Sequence, residues 1–304
     1  MREALALATQ AQWLCPPNPA VGCVIVLPDG QVVSAHTQAT GQAHAEAQAL
    51  QLLAAQGQSA RGATVYVTLE PCSHHGRTPP CADALVRKGV ARVVVAVEDP
   101  NPLVAGQGIE RLRAAGIQVD VGLLADEARE INLGFFSRMQ RGQPWVRLKV
   151  AASLDGRTAL DDGRSQWITS PAARADGHAW RARAGAVLTG IGTVLDDNPR
   201  LDVREVDTPR QPLRVIVDSR LETPPSARIL PPPGDVLIYH AEDHPARRAA
   251  LEAVGAELVC LPGAGGKVDL GAMLADLARR GVNELHVEAG HKLNGSFVRE
   301  DRVD

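Results

Sequence analysis

The 304-residue sequence predicts two successive α/β domains, and three features carry that prediction. The length is long for one hydrophobic core and natural for two. Short β-branched runs alternate with segments of helical apolar spacing along both halves of the chain. The segment QRGQPW (140–145) is polar and carries Gly and Pro, and the alternation restarts after it.

In the first domain, residues 1–140, apolar spacing predicts a helix over 2–14. VGCVIVL (21–27) and QVVSAHT (31–37) read as strands joined by a Pro-Asp-Gly turn. A helix at 44–56, a strand at 63–70 (ATVYVTLE), a helix at 81–88, a strand at 91–99, a helix at 108–115, a strand at 117–123 and a helix at 125–139 follow. In the second domain, residues 145–304, strands are expected near 145–152, 186–190, 213–219, 235–240, 256–261 and 284–289. Helices are expected near 171–184, 244–254, 270–280 and 292–299, and ETPPSARILPPPGD (222–235) reads as a proline-rich surface connection. No internal repeat or low-complexity tract interrupts the pattern.

The composition is 45% hydrophobic and 22% charged, ordinary for a globular protein. No apolar run approaches a membrane span, and MREALALATQAQWL is an amphipathic helix with an early acid rather than a basic, cleavable signal, so a cytoplasmic protein is expected. A formal net charge of −3 and 3% aromatics do not supply the basic surface and stacking platforms of a nucleic-acid binder. Five cysteines, an odd number without an export signal, argue against a disulfide framework and for metal binding or burial.

Two motifs carry chemistry. GQAHAEAQAL (41–50) opens a helix with His44 and Glu46, which alone suit an ordinary surface helix start. TLEPCSHHGRTPPC (68–81) follows a strand with two cysteines and two histidines. Zinc wants three or four such ligands, and a catalytic zinc keeps one position for water. His44, Cys72 and Cys81 supply three, with both expected helix N-termini placed to favour thiolates, and Glu46 is left free to move protons. Zinc-dependent nucleobase deaminases carry H-x-E and P-C-x-x-C, with the glutamate as general acid/base. Here eight residues separate Cys72 from Cys81, which leaves His74 or His75 as rival ligands on spacing alone.

With these residues the sequence resembles the bifunctional deaminase/reductase family of riboflavin biosynthesis, through PPNPAVGCVIV, GQAHAEAQAL and TLEPCSHHGRTPPC, whose long insertion belongs to that family's pattern. The likeness continues through KVAASLDGRTA, SQWITSPAAR, GIGTVLDDNPRL and VEAGHKLNGSF, over almost the whole chain. It implies a cytidine-deaminase-like first domain with Zn2+ held by His44, Cys72 and Cys81 and Glu46 as proton shuttle. Asn18 matches a substrate-facing asparagine, with an Asx turn before Pro19 as the alternative. His36, His74 and His75 are open to pocket or solvent, and Cys15, Cys23 and Cys260 read as buried or loop thiols.

No G-x-G-x-x-G follows the first strand of the second domain, so a Rossmann dinucleotide site is not supported, and GAGG (263–266) reads as a flexible connection. LTGIGT (188–193) and EAGHKLNGS (288–296) are strands ending in glycine before a helix start, where unpaired N–H groups suit phosphate. The resemblance implies a dihydrofolate-reductase-like domain that uses NADPH to deliver hydride to C1′ of a ribosylamino group. Its NADPH contacts fall on Ala151, Trp167, Thr193, Asp197, Ser219 and a Gly290-His291-Lys292-Leu293-Asn294-Gly295-Ser296 turn. Its substrate contacts fall on Ser165, Arg181, Leu201, Arg204 and Glu288, with Arg181 and Arg204 as phosphate clamps. Lys149 and Asp155 flank the expected hydride site.

The family pattern continues past FVREDRVD, so the reductase sheet is expected to be C-terminally incomplete, with an unpaired edge that favours a homo-oligomer. The expected substrate is a small phosphoribosylaminopyrimidine, with no nucleic acid and no membrane as partner. A zinc deaminase acting on nucleic acid through an accessory docking domain is the alternative, and the acidic net charge speaks against it. A structural zinc module would close its metal with four protein ligands.

Overall fold

The computed structural model describes residues 1–73, 80–165 and 167–304, which form two compact units, Met1–Arg141 and Gly142–Asp304. His74 and His75 lie outside the described residues.

The first unit runs α1 (Arg2–Ala11), β1 (Gly22–Val26), β2 (Val32–His36), α2 (Ala45–Ala55), β3 (Thr64–Val67) and α3 (Cys81–Lys88). It continues with β4 (Arg92–Val95), α4 (Gln107–Ala114), β5 (Gln118–Val121), α5 (Ala125–Ile131) and α6 (Leu133–Arg141). Its sheet has the order β2-β1-β3-β4-β5, with β1 antiparallel to both neighbours and β3, β4 and β5 parallel. Alternation along the strands puts Cys23, Ile25, Val65, Val67, Val93 and Val95 on one buried face. The helix expected over 125–139 is divided at Asn132. That side chain binds both the N–H and the C=O of Ala20, and its backbone leaves helical geometry at φ −115°, ψ 23°.

The second unit runs β6 (Trp145–Leu148), α7 (Pro171–Arg183), β7 (Ala186–Gly190), α8 (Ile191–Asp197), β8 (Leu213–Val217) and β9 (Val236–His240). It ends with α9 (Pro245–Ala253), β10 (Glu257–Cys260), α10 (Leu270–Arg279), β11 (Glu284–Val287) and α11 (His291–Arg299). The sheet is parallel throughout, in the order β10-β9-β8-β7-β11-β6. Such a sheet is buried on both faces. Leu188, Val215, Leu237 and Leu285 pack with Met273 of α10 and Phe297 of α11, while Val187, Ile216 and Ile238 pack with Val194 of α8 and Leu251 of α9. GAGG forms a short 3-10 turn, and α10 starts afterwards on its own Asp269 cap, which accepts from Ala272 N–H at 2.9 Å. The outer edge of β6 is met at Val146 by Asp304, whose Oδ2 accepts from Val146 N–H at 2.8 Å.

The proline-rich stretch 222–235 is anchored rather than a loose surface connection. Arg214, fully buried on β8, donates to the carbonyls of Ile229, Pro231 and Gly234 at 2.5, 2.9 and 2.7 Å.

Glycine is required where α1 crosses the start of β1, because a Cβ on Gly22 would collide with the carbonyl of Ala4. Gly22→Ala is expected to destabilise the first unit by about 1–3 kcal/mol through overpacking. Thermal unfolding checks this, and an unchanged Tm would mean that α1 yields without cost.

Candidate functional site

His44 is the N-cap of α2, in extended geometry at φ −69° and ψ 163°, so the unpaired N–H groups of the first helical turn open toward its side chain. Cys72 lies in the turn after β3, and Cys81 is the first residue of α3. His44 Nδ1 is 3.7 Å from Cys72 Sγ and 3.6 Å from Cys81 Sγ, and the three donor atoms all lie within 4.8 Å of one another. Tetrahedral zinc, with Zn–N about 2.0–2.1 Å and Zn–S about 2.3 Å, would separate an imidazole nitrogen from a thiolate sulfur by roughly 3.6 Å. The spacing and the donor set fit zinc. Cys81 N–H donates to Cys72 Sγ at 3.3 Å, the helix-start interaction that favours a thiolate.

The hydrogen bond from Cys81 pulls the Cys72 thiol down against desolvation, whereas the same hydrogen bond and then burial push Cys81 well up. His44 is raised chiefly by its hydrogen bond to Cys72. Glu46, in the first turn of α2 and 4% exposed, is raised to about 7, first by burial and then by the charge of Cys72. Glu46 therefore sits within electrostatic reach of all three candidate ligands.

A second carboxylate holds this arrangement from below. Glu70 Oε2 accepts from Asp99 N–H at 3.2 Å and Gly106 N–H at 2.9 Å, and Oε1 accepts from Gly108 N–H at 2.8 Å and Ile109 N–H at 3.1 Å. The start of α4 is thereby tied to the strand end that leads into Cys72, and a Cβ on Gly108 would collide with the Pro71 carbonyl. Asp99, buried beside Glu70, is raised to about 6, first by desolvation and, against the Asn101 N–H, by the charges of Glu70 and Cys72. Asn18 is half-buried in a turn closed by its own N–H to Cys15 C=O at 2.8 Å.

In the second unit the two glycine-ended strands, β7 and β11, are sheet neighbours, so the starts of α8 and α11 lie side by side. A Cβ on Gly290 would stand 3.7 Å from Thr193 Oγ1. The stretch from Gly290 to Ser296 is not a turn. Gly290 caps α11, and Asn294 N–H already bonds Gly290 C=O at 3.1 Å, so Asn294, Gly295 and Ser296 lie within the helix and the free N–H groups belong to Gly290, His291, Lys292 and Leu293. Asp197 ends α8, and Ser219 follows β8 with its Oγ accepting from Val268 N–H at 3.3 Å. Ala151, Ser165 and Trp167 lie in the irregular segment between β6 and α7. Trp167 is 72% exposed there, with the Arg174 guanidinium 4.4 Å over its ring.

Arg181, Leu201, Arg204 and Glu288 come together around Asp202. Arg181 is not an open clamp: it grips Glu288 with Nε to Oε1 at 2.5 Å and Nη2 to Oε2 at 3.0 Å, and donates Nη1 to Asp202 C=O at 3.1 Å. Arg204 Nη1 binds Asp202 Oδ1 at 2.7 Å, and Arg200 holds its other oxygen. Lys149 Nζ stands 3.8 Å from Glu288 Oε2, while Asp155 belongs to an exposed turn with Ser153 and Arg157.

A model of the cytidine and deoxycytidylate deaminase zinc-binding region matches residues 1–97, and a model of the RibD C-terminal domain matches residues 144–304. The chain is 46% identical over 317 residues to the riboflavin biosynthesis protein RibD of Escherichia coli (strain K12), covering 100% of this chain and 84% of that protein. The chain belongs to the RibD family. The Acinetobacter baumannii RibD structure aligns with a TM-score of 0.90 at 43% identity, over 100% of this chain and 83% of that one. A Thermotoga maritima structure, described as a diaminohydroxyphosphoribosylaminopyrimidine deaminase/5-amino-6-(5-phosphoribosylamino)uracil reductase, aligns at 0.87 with 34% identity, over 99% and 82%.

For this RibD-family chain, sequence reasoning missed Glu70, Asp99, His178 and Asp202. Glu70 has a signal, an acid that ends a buried β-branched run directly before the ligand turn. His178, whose Nδ1 accepts from Arg204 N–H at 3.3 Å, has none, because its partner lies 26 residues away, whereas Asp202 carries the local signal of arginines two residues to either side.

Elemental analysis is expected to find one zinc per chain, lost in His44→Ala, Cys72→Ala or Cys81→Ala, because three ligands leave no redundancy. Full zinc in Cys81→Ala, with loss in His74→Ala or His75→Ala, would move the site.

Proposed function

We propose that this chain catalyses two successive steps of riboflavin biosynthesis. Residues 1–140 deaminate 2,5-diamino-6-(5-phosphoribosylamino)pyrimidin-4-one, and residues 145–304 then reduce the ribosylamino group to ribitylamino with NADPH. The observation that carries the reading is the His44, Cys72 and Cys81 triad converging to within 4.8 Å beside a buried Glu46, in a chain of the RibD family.

For the first step His44, Cys72 and Cys81 would hold the metal through Nδ1 and two Sγ atoms. When bound, zinc supplies Lewis-acid activation of water, lowering its pKa to about 7. The Glu46 carboxylate takes a proton from the attacking water and hands it to the departing amine nitrogen. Ammonia leaves, and the ring carbon keeps a carbonyl. Asn18, in the turn closed onto Cys15, orients the pyrimidine.

In the second step the free N–H groups at the start of α11 and the Thr193 hydroxyl bind phosphate oxygens of the nucleotide. Ala151, Trp167, Asp197 and Ser219 complete that site. NADPH, when bound, supplies the hydride for C1′. Ser165, Leu201, Arg204, Arg181 and Glu288 hold the substrate, with Arg204 on its phosphate, and the contact of Lys149 with Glu288 supports Lys149 as the donor of the proton that balances the hydride. No helix among the described residues is long and apolar enough to cross a membrane, and a cytoplasmic homo-oligomer completes the reading.

Glu46→Gln is expected to keep its zinc and lose deamination by about 100-fold or more, since an amide cannot shuttle protons. Ammonia release with parallel metal analysis checks this, and loss of metal would make Glu46 a ligand. Arg204→Ala should raise the reductase KM while leaving ammonia release unchanged, and equal loss of both activities in a folded protein would undo the division of labour. Gly290→Val should fold, because a Cβ there meets only Thr193 Oγ1 at 3.7 Å, yet bulk at that position blocks close approach of the nucleotide. Calorimetry should show lost NADPH binding with intact deamination, and retained affinity would move the nucleotide elsewhere.

A further inference from the structure

Residues alternate across β11, and Leu285 and Val287 face the core shared with α10 and α11. The other face carries Glu284, His286 and Glu288 in a row. Arg147 and Arg183 bind Glu284, and Arg181 and Lys149 approach Glu288, so each carboxylate is matched by two cations from β6, its continuation and α7. Between them stands His286, 1% exposed, and among the described residues neither of its ring nitrogens completes a hydrogen bond. Its Nε2 lies 3.4 Å from Glu288 Oε1. A buried polar group without a partner calls for a reason.

We propose that His286 is a positioning residue for the reductase step, the reserve partner that holds Glu288 when Arg181 turns toward the substrate phosphate. This rests on the reading of Arg181 and Glu288 as substrate contacts. Arg181 now occupies both oxygens of Glu288 and a main-chain carbonyl, so it reaches a phosphate only by loosening its grip. A carboxylate as enclosed as Glu288 is not stable without a replacement donor. Lys149 covers Oε2, and His286 stands at Oε1. A shift of about half an ångström brings its Nε2–H to hydrogen-bond distance. The imidazole thus stands 3.4 Å off Glu288 in the resting site and hydrogen-bonds it in the liganded one, with Glu288 held in one place throughout.

The test compares His286→Leu, His286→Gln and Glu288→Gln in the full chain, loaded with zinc and NADPH and given the deaminated phosphoribosylaminouracil. His286→Leu should raise the reductase KM about tenfold or more, the effect of losing a hydrogen bond to a charged group, with NADPH affinity and ammonia release unchanged. His286→Gln, whose amide nitrogen takes the place of Nε2, should recover most of that loss, a rescue that a purely structural role would not give. If the leucine variant fails to fold, His286→Asn replaces it, because its amide is too short to reach Oε1. Unchanged KM in the leucine or asparagine variant, beside a raised KM in Glu288→Gln, would overturn the positioning role. Equal loss in the leucine and glutamine variants would overturn it too. An unchanged reductase in Glu288→Gln would instead overturn the underlying substrate assignment.

Discussion

Buried negative charge has to meet hydrogen-bond donors, and the first unit of this chain meets it with the N-termini of helices that follow strand ends. A helix start presents several N–H groups that its own carbonyls cannot satisfy, together with the positive end of the macrodipole. At the first site the start of α3 donates to Cys72 Sγ, and the start of α4 donates to Glu70. One interaction favours a thiolate ready for a metal. The other fixes the chain segment on which that thiolate stands. The second needs the glycine at 108, since a Cβ there would collide with the Pro71 carbonyl and separate the start of α4 from Glu70, leaving that carboxylate only the Asp99 N–H among its four donors.

Glu70 and Glu46 show how environment divides labour between two buried carboxylates. Glu70 accepts four main-chain N–H groups, a surrounding that suits a brace. Glu46 is desolvated beside the candidate thiolates and is raised to about 7, a surrounding that suits proton exchange. Both glutamates lie near the site, and it is the count of donors around each that separates a brace from a shuttle.

The second unit applies the same constraint to cations as well. Arg181 and Arg204 are both occupied by internal carboxylates, so neither waits as a bare positive charge. Burial pushes Glu288 upward, but the hydrogen bonds and charge of Arg181 hold it well below the usual carboxylate range. Pairing of this kind keeps guanidinium planes oriented while no ligand is bound, and binding then becomes an exchange of partners rather than the capture of a free side chain. The exposed Trp167 and the irregular segment around it contrast with this rigid floor.

Local chemistry was legible in the sequence wherever one stretch of chain settles it. VGCVIVL, ATVYVTLE and ARVVVAVED announce strands by β-branched alternation, and each appears within a few residues of its expected ends. The pairing of His44 with TLEPC and the later cysteine marked the donor set, because ligand chemistry is carried by residue type and by helix starts. Sequence alone could not divide the helix at Asn132, anchor the 222–235 stretch through Arg214, or reduce the Gly290 to Ser296 stretch to the few N–H groups at its head. Nor could it show that Arg181 is already held by a glutamate 107 residues further on. Periods of 2 and 3.6 residues are properties of neighbouring side chains, whereas the partner of a buried charge is chosen by which helix packs on which strand, and only the tertiary structure decides that.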